Sequence, residues 1–198
     1  MRPFRDDPAA IRVQAEVIAM AEGRLARFPA DQRSLMAQVI AACGMVEVAD
    51  RLIVSPAAVT AGRAALAAGA AILCDGPMVA AGIAPQRPAR NPVIAPVQEA
   101  ADGAIDLWLP HLAGSVVGIG TQPLALFRLL DHLDRGGPHP ALIVACPAGL
   151  VDAAAAKAEL VAHPRGCAVI VLRGRRGGPA LAAAAVTALL DPDAQDHP

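Results

Sequence analysis

Five short apolar runs, each halted by a residue that ends a strand, constrain the fold of this chain more than anything else in it. They are Leu52-Ile53-Val54, Ala70-Ala71-Ile72-Leu73-Cys74, Ser115-Val116-Val117-Gly118-Ile119-Gly120, Ala141-Leu142-Ile143-Val144-Ala145-Cys146 and Ala168-Val169-Ile170-Val171-Leu172. The runs are apolar at nearly every position, as expected of strands buried on both faces. Between them lie stretches of helical length and period. Strands alternating with helices imply a mainly parallel sheet covered by helices on both faces, an α/β fold in one domain. We place that domain at residues 1–190, with 191–198 as a flexible tail.

Local signals set the expected helix boundaries. Ile11, Val13, Val17, Ile18, Leu25 and Phe28 fall near helical spacing, and Pro29 stops the pattern. Asp31 is a good N-cap for a second helix that carries Leu35, Met36, Val39 and Ile40 inward and ends at Cys43-Gly44. Ser55 is expected to cap the next helix, with Pro56 at its first position. Further helices are expected from Pro123 to about Arg135, from Val151 to Ala162, and after Gly178. The segment 84–104, with Pro85, Pro88, Pro92 and Pro96, reads as a loop holding at most a short edge strand.

Composition removes several function classes. With 17 basic and 18 acidic residues the net charge is -1, so nothing marks a nucleic-acid binder. Aromatic residues make up 2% of the chain, too few for base-stacking platforms. Asp6, Asp7 and Pro8 precede an apolar stretch broken by Arg12, Gln14 and Glu16, which does not resemble a signal peptide. No apolar run is long enough to span a bilayer. Cys43, Cys74, Cys146 and Cys167 are scattered without a CxxC pair, which suggests buried thiols in a reducing cytoplasm rather than a metal site. The expectation is a soluble cytoplasmic protein with no membrane partner and no metal.

In an open α/β sheet, ligands bind beyond the carboxyl ends of the strands. Four loops qualify: Asp75-Gly76-Pro77, Gly118-Ile119-Gly120-Thr121, Cys146-Pro147-Ala148-Gly149, and Arg173 through Gly178. Glycines let backbone amides approach an anion, and Arg173, Arg175 and Arg176 match carboxylates in a forked geometry. The combination suits a ligand with several carboxylates. The same residues also admit plainer roles: Asp75 as a helix cap, and Arg175 and Arg176 as solvated charges. The five histidines, His111, His132, His139, His163 and His197, share no spacing and are expected in solvent. No Ser-His-Asp arrangement is present.

Several phrases resemble the precorrin-8X methylmutase family. They are Ala42-Cys43-Gly44-Met45 with Val46-Glu47-Val48-Ala49, Ser55-Pro56 followed by Gly62-Arg63-Ala64-Ala65-Leu66, and Ile72-Leu73-Cys74-Asp75 with Met78-Val79-Ala80. Later come Val117-Gly118-Ile119-Gly120 with Ala125-Leu126-Phe127, then Pro147-x-Gly149-x-Val151 with Lys157, and finally Arg173-Gly174-Arg175 with Gly177-Gly178. Lys157 is the single lysine beside 16 arginines. The resemblance implies an α/β homodimer without a cofactor. The implied reaction moves a methyl group from C-11 to C-12 of a corrin-type macrocycle, from precorrin-8X to hydrogenobyrinic acid. It also implies Asp75, Lys157, Arg173, Arg175, Gly177 and Gly178 as substrate-binding residues.

The chain departs from the family pattern at several places. The family reads His-Ala-Cys-Gly, with the histidine as proton donor, where this chain has Ala41. The family's tyrosine and serine in the preceding helix fall at Arg12 and Ala15, and its threonine after the Met-Val segment at Ala84. A Thr-Arg-Ser-Ala-Ala segment expected before Leu107-Trp108 is missing. Three readings follow: a methylmutase with different proton chemistry, a non-catalytic corrinoid binder or carrier, and a pseudoenzyme that serves as a scaffold partner within a hetero-oligomer.

Overall fold

The computed structural model describes residues 6–98 and 103–190. Six strands form one sheet in the order β1-β6-β5-β4-β2-β3. They are β1 (Leu52–Val54), β2 (Ile72–Cys74), β3 (Val93–Ile94), β4 (Val116–Ile119), β5 (Leu142–Ala145) and β6 (Ala168–Leu172). Every pairing is parallel except β1 with β6, where Leu52 lies opposite Leu172 and Val54 opposite Ile170. The mainly parallel sheet expected from the apolar runs is therefore present. Between Ile83 and Gly103, the described part of the proline-rich segment carries the two-residue edge strand β3.

The pleat divides the strand residues between two cores. Ile72, Val116, Leu142, Val144 and Ile170 face α2 (Ala30–Cys43), α3 (Ala58–Ala67), α4 (Pro77–Ile83) and α8 (Pro179–Leu190). Leu73, Val117, Ile143, Val169 and Val171 face α5 (Gly103–Trp108), α6 (Pro123–Asp134) and α7 (Ala153–Ala162). Helix α8 is buried almost all round, and its alanines let neighbours come close. A methyl group added at Gly82 of α4 would stand 2.6 Å from the Ala183 Cβ.

Three local expectations need correction. The first helical stretch does not run to Phe28. Helix α1 (Pro8–Glu22) starts at Asp7, whose carboxylate accepts the Ala9 N–H at 2.9 Å, and stops at Gly23. Asp31 is not the cap of α2; Pro29 holds that position, and Asp31 lies in the first turn, where its charge still favours the helix dipole. Ser55 does not cap α3. The antiparallel register sets residue 55 beside Val169, and the Ser55 hydroxyl accepts the Val169 N–H at 2.9 Å while the Ser55 N–H donates to the Val169 carbonyl at 2.9 Å. The hydroxyl thus prolongs the sheet, a long-range partner that local sequence does not reveal. The expected tail, 191–198, lies outside the described residues.

Candidate functional site at the carboxyl edge of the sheet

The parallel strands β2, β4, β5 and β6 release their chains at one edge, which brings all four glycine-bearing loops together. Asp75 follows β2 and is fully buried. One carboxylate oxygen accepts the Gly120 N–H at 3.0 Å, and the other accepts those of Thr121 and Gln122, each at 2.8 Å. These amides open α6, so the charge also meets the positive end of that helix. Asp75, expected either to meet a ligand or to cap a helix, accepts three amides ahead of α6 and so shapes the β4–α6 loop. The indole N–H of buried Trp108 donates to the Cys74 carbonyl at 3.2 Å and fixes the strand end beside it.

The loops after β5 and β6 are joined directly. Gly178 donates its N–H to the Cys146 carbonyl at 2.7 Å, and Gly149 donates to the Arg175 carbonyl at 3.0 Å. A Cβ at Gly177 would stand 2.0 Å from the Cys146 carbonyl oxygen, so no other residue fits there without moving backbone. Gly178 has φ 136°, a region that also favours glycine. Lys157, on α7, is fully buried, and its ammonium donates to the carbonyls of Pro147 and Arg176, each at 2.8 Å. Burial draws its pKa down to about 8, against the opposing influence of the Cys146 thiol. Cys146 is itself pushed up to about 12 by burial, and Cys74 likewise.

The arginines divide by partner. Arg176 forms an ion pair with Glu47, and this contact holds the Glu47 carboxyl below its usual range. Arg173 is exposed and reaches the Asp50 carbonyl at 3.3 Å. Arg175 is exposed, and its side chain pairs with none of the described residues. Arg51 was not anticipated: the β1–β6 pairing continues to a hydrogen bond from the Arg173 N–H to the Arg51 carbonyl at 3.0 Å. It adds a fourth guanidinium beside Gly174. Only the antiparallel pairing reveals it, since 51 and 173 are far apart in sequence. A cavity of about 340 Å³ adjoins this cluster, lined by Ala154, Ala158, Val161 and Ala162 of α7 with Arg173 and Gly174.

The Glu47–Arg176 pair ties the segment following α2 to this same edge. Ala41 lies half-buried in the last turn of α2. Arg12 is exposed and Ala15 half-buried on α1, and Ala84 is exposed at the end of α4. Of the histidines, His111, His139 and His163 are exposed as expected, whereas His132 is half-buried and packs against Gly137. His197 lies outside the described residues, as does part of the span before Leu107-Trp108 that corresponds to the family's Thr-Arg-Ser-Ala-Ala segment. No group of three or more potential metal ligands occurs among the described residues.

This architecture and its residues have close counterparts. The family model for precorrin-8X methylmutase matches residues 11–192. A precorrin-8X methylmutase of Pseudomonas aeruginosa is 51% identical over 197 residues, covering 92% of this chain and 95% of the relative. One from a Sinorhizobium species is 42% identical over 94% of this chain and 95% of its own length. The crystal structure of the precorrin-8X methylmutase of Thermus thermophilus superposes with a TM-score of 0.81 at 30% identity, covering 94% of this chain and 98% of that one. The matched residues take in the whole sheet, its carboxyl edge and both helical layers, so the chain belongs to the precorrin-8X methylmutase family.

Proposed function

We propose that this chain carries out the family's methyl shift, moving a methyl group from C-11 to C-12 of precorrin-8X to give hydrogenobyrinic acid. The observation that carries the reading is the carboxyl edge itself, where exposed Arg173 and Arg175 stand on rigid loops beside an apolar cavity. A macrocycle with an apolar body and peripheral carboxylates matches that pairing of surfaces. The migration is intramolecular, so the protein's task is to hold the ring's shape and protonation state. The Ala41 methyl group cannot donate a proton, so in this reading the proton comes from a source other than the residue at that position. The pH–rate profile is then expected to lack an inflection near the imidazole pKa of about 6.5.

The test is to incubate the purified chain with precorrin-8X and follow the visible spectrum. Conversion to the hydrogenobyrinic acid spectrum supports the proposal. An unchanged spectrum, with tight binding measured separately, replaces it with the non-catalytic binder. The reading also includes a homodimer working in the cytoplasm. Four free thiols accord with a reducing compartment. Helix α1 supports the dimer: only Ala19 is buried, while Ile11, Val13, Val17 and Ile18 stay 44–63% exposed. That much apolar surface on one helix suits a second copy of the chain as its cover. Sedimentation at twice the 20.1 kDa of one chain, abolished by Val17→Glu, is the expected result.

A further inference from the structure

The chain uses arginine for 16 of its 17 basic residues and places its one lysine where water does not reach. A buried ammonium is costly unless its protons are donated. Here two of the three are donated, to the Pro147 carbonyl after β5 and the Arg176 carbonyl after β6. Two carbonyls converging on one point suit a compact ammonium better than a flat guanidinium fork. The facing thiol, Cys146, has its pKa raised by burial and stays protonated at neutral pH, so the ammonium's partners are the backbone carbonyls.

The consequence falls on the neighbouring arginine. The Arg175 carbonyl accepts from Gly149 and the Arg176 carbonyl from Lys157, so the two consecutive peptide groups that follow the exposed Arg175 in the chain are both held. Without the ammonium, the Pro147 and Arg176 carbonyls would have no shared donor, and the 173–178 loop would be untied from α7. We propose that Lys157 is a positioning residue: by pinning the Pro147 and Arg176 carbonyls to one ammonium, it fixes Arg175 and Arg173 to receive the ligand's carboxylates, without touching the ligand itself. This inference rests on the polycarboxylate reading given above, and it moves Lys157 from the substrate-binding role implied by the family resemblance to one beneath the surface.

A double-mutant cycle tests it, using Lys157→Met and Arg175→Ala in the whole chain, with hydrogenobyrinic acid as the titrated ligand. Lys157→Met is expected to fold by circular dichroism and to bind at least about tenfold more weakly, the effect of one charge-assisted pair that no longer forms. Arg175→Ala should cost about tenfold in the native chain but less than about twofold in the Lys157→Met background, because the loop that aims Arg175 is already released. Effects that multiply would mean Lys157 acts on the ligand independently, and would overturn the proposal. Should Lys157→Met fail to fold, Lys157→Gln, which retains a donating end, carries the same cycle. If the native chain binds no hydrogenobyrinic acid, the ligand reading fails by itself, and amide hydrogen exchange then judges the clamp. Faster exchange at Gly149 and Gly178 in the variant supports it, and unchanged exchange overturns it.

Discussion

Replacing Asp75 by Asn tests whether one carboxylate builds the β4–α6 side of the site. The native oxygens divide three amides between them, one taking Gly120 and the other taking both Thr121 and Gln122. The variant's carbonyl oxygen will settle where it keeps two partners, leaving its NH2 pointed at the Gly120 N–H. One buried donor is thereby orphaned, at about 1–3 kcal/mol, and the negative charge at the start of α6 disappears, at about 0.3–1 kcal/mol or more when buried. The sum is about 1–4 kcal/mol, a large share of the stability of a domain of this size. It corresponds to a fall in Tm of roughly 3–15 °C for a chain of this length. Differential scanning calorimetry of the native chain, Asp75→Asn and Asp75→Ala provides the measurement, with the Ala variant expected to be worse because all three amides then lack an acceptor. A Tm for Asp75→Asn within about 2 °C of native would refute the reasoning, since it would mean that these amides are satisfied without the carboxylate.

Gly177→Ala should destabilise by at least about 2 kcal/mol or prevent folding, since its Cβ would meet a backbone carbonyl that cannot rotate away; urea midpoints measure the effect. Arg175→Ala should leave the urea midpoint unchanged, as its exposed side chain pairs with no described residue, while weakening hydrogenobyrinic acid binding by about tenfold in calorimetric titration. Stability should pass through a maximum near pH 9. Lys157 falls from 10.5 to about 8 on folding, so above about 8 the unfolded chain holds the extra proton and stability rises with pH. Cys74 and Cys146 rise from 9.0 to about 12, so above 9 the folded chain holds the extra protons and stability falls. Urea midpoints between about pH 7.5 and 10 should trace that shape, and Lys157→Met should flatten its rising limb.

The apolar runs were legible because strands covered on both faces need apolar side chains at nearly every position, so β2, β4, β5 and β6 stand out along the chain. The glycines and arginines of the carboxyl edge were legible for a related reason: parallel strands all release their loops at one end, whatever their order in the sheet. The roles within that edge were not legible. Whether Asp75 meets a ligand or three amides, and whether Lys157 points outward or into the gap between two loops, depends on which backbone groups arrive beside them. Gly120 lies 45 positions from Asp75, and Arg176 lies 19 from Lys157. The same holds for Ser55, diverted from a helix cap to Val169, and for Arg51, brought beside Arg173 by the one antiparallel pairing. Sequence determines which faces must be buried, because burial follows from side-chain chemistry repeated at a local period. Only the tertiary structure decides which hydrogen bonds a polar group makes, because those partners are set by the closing of the sheet.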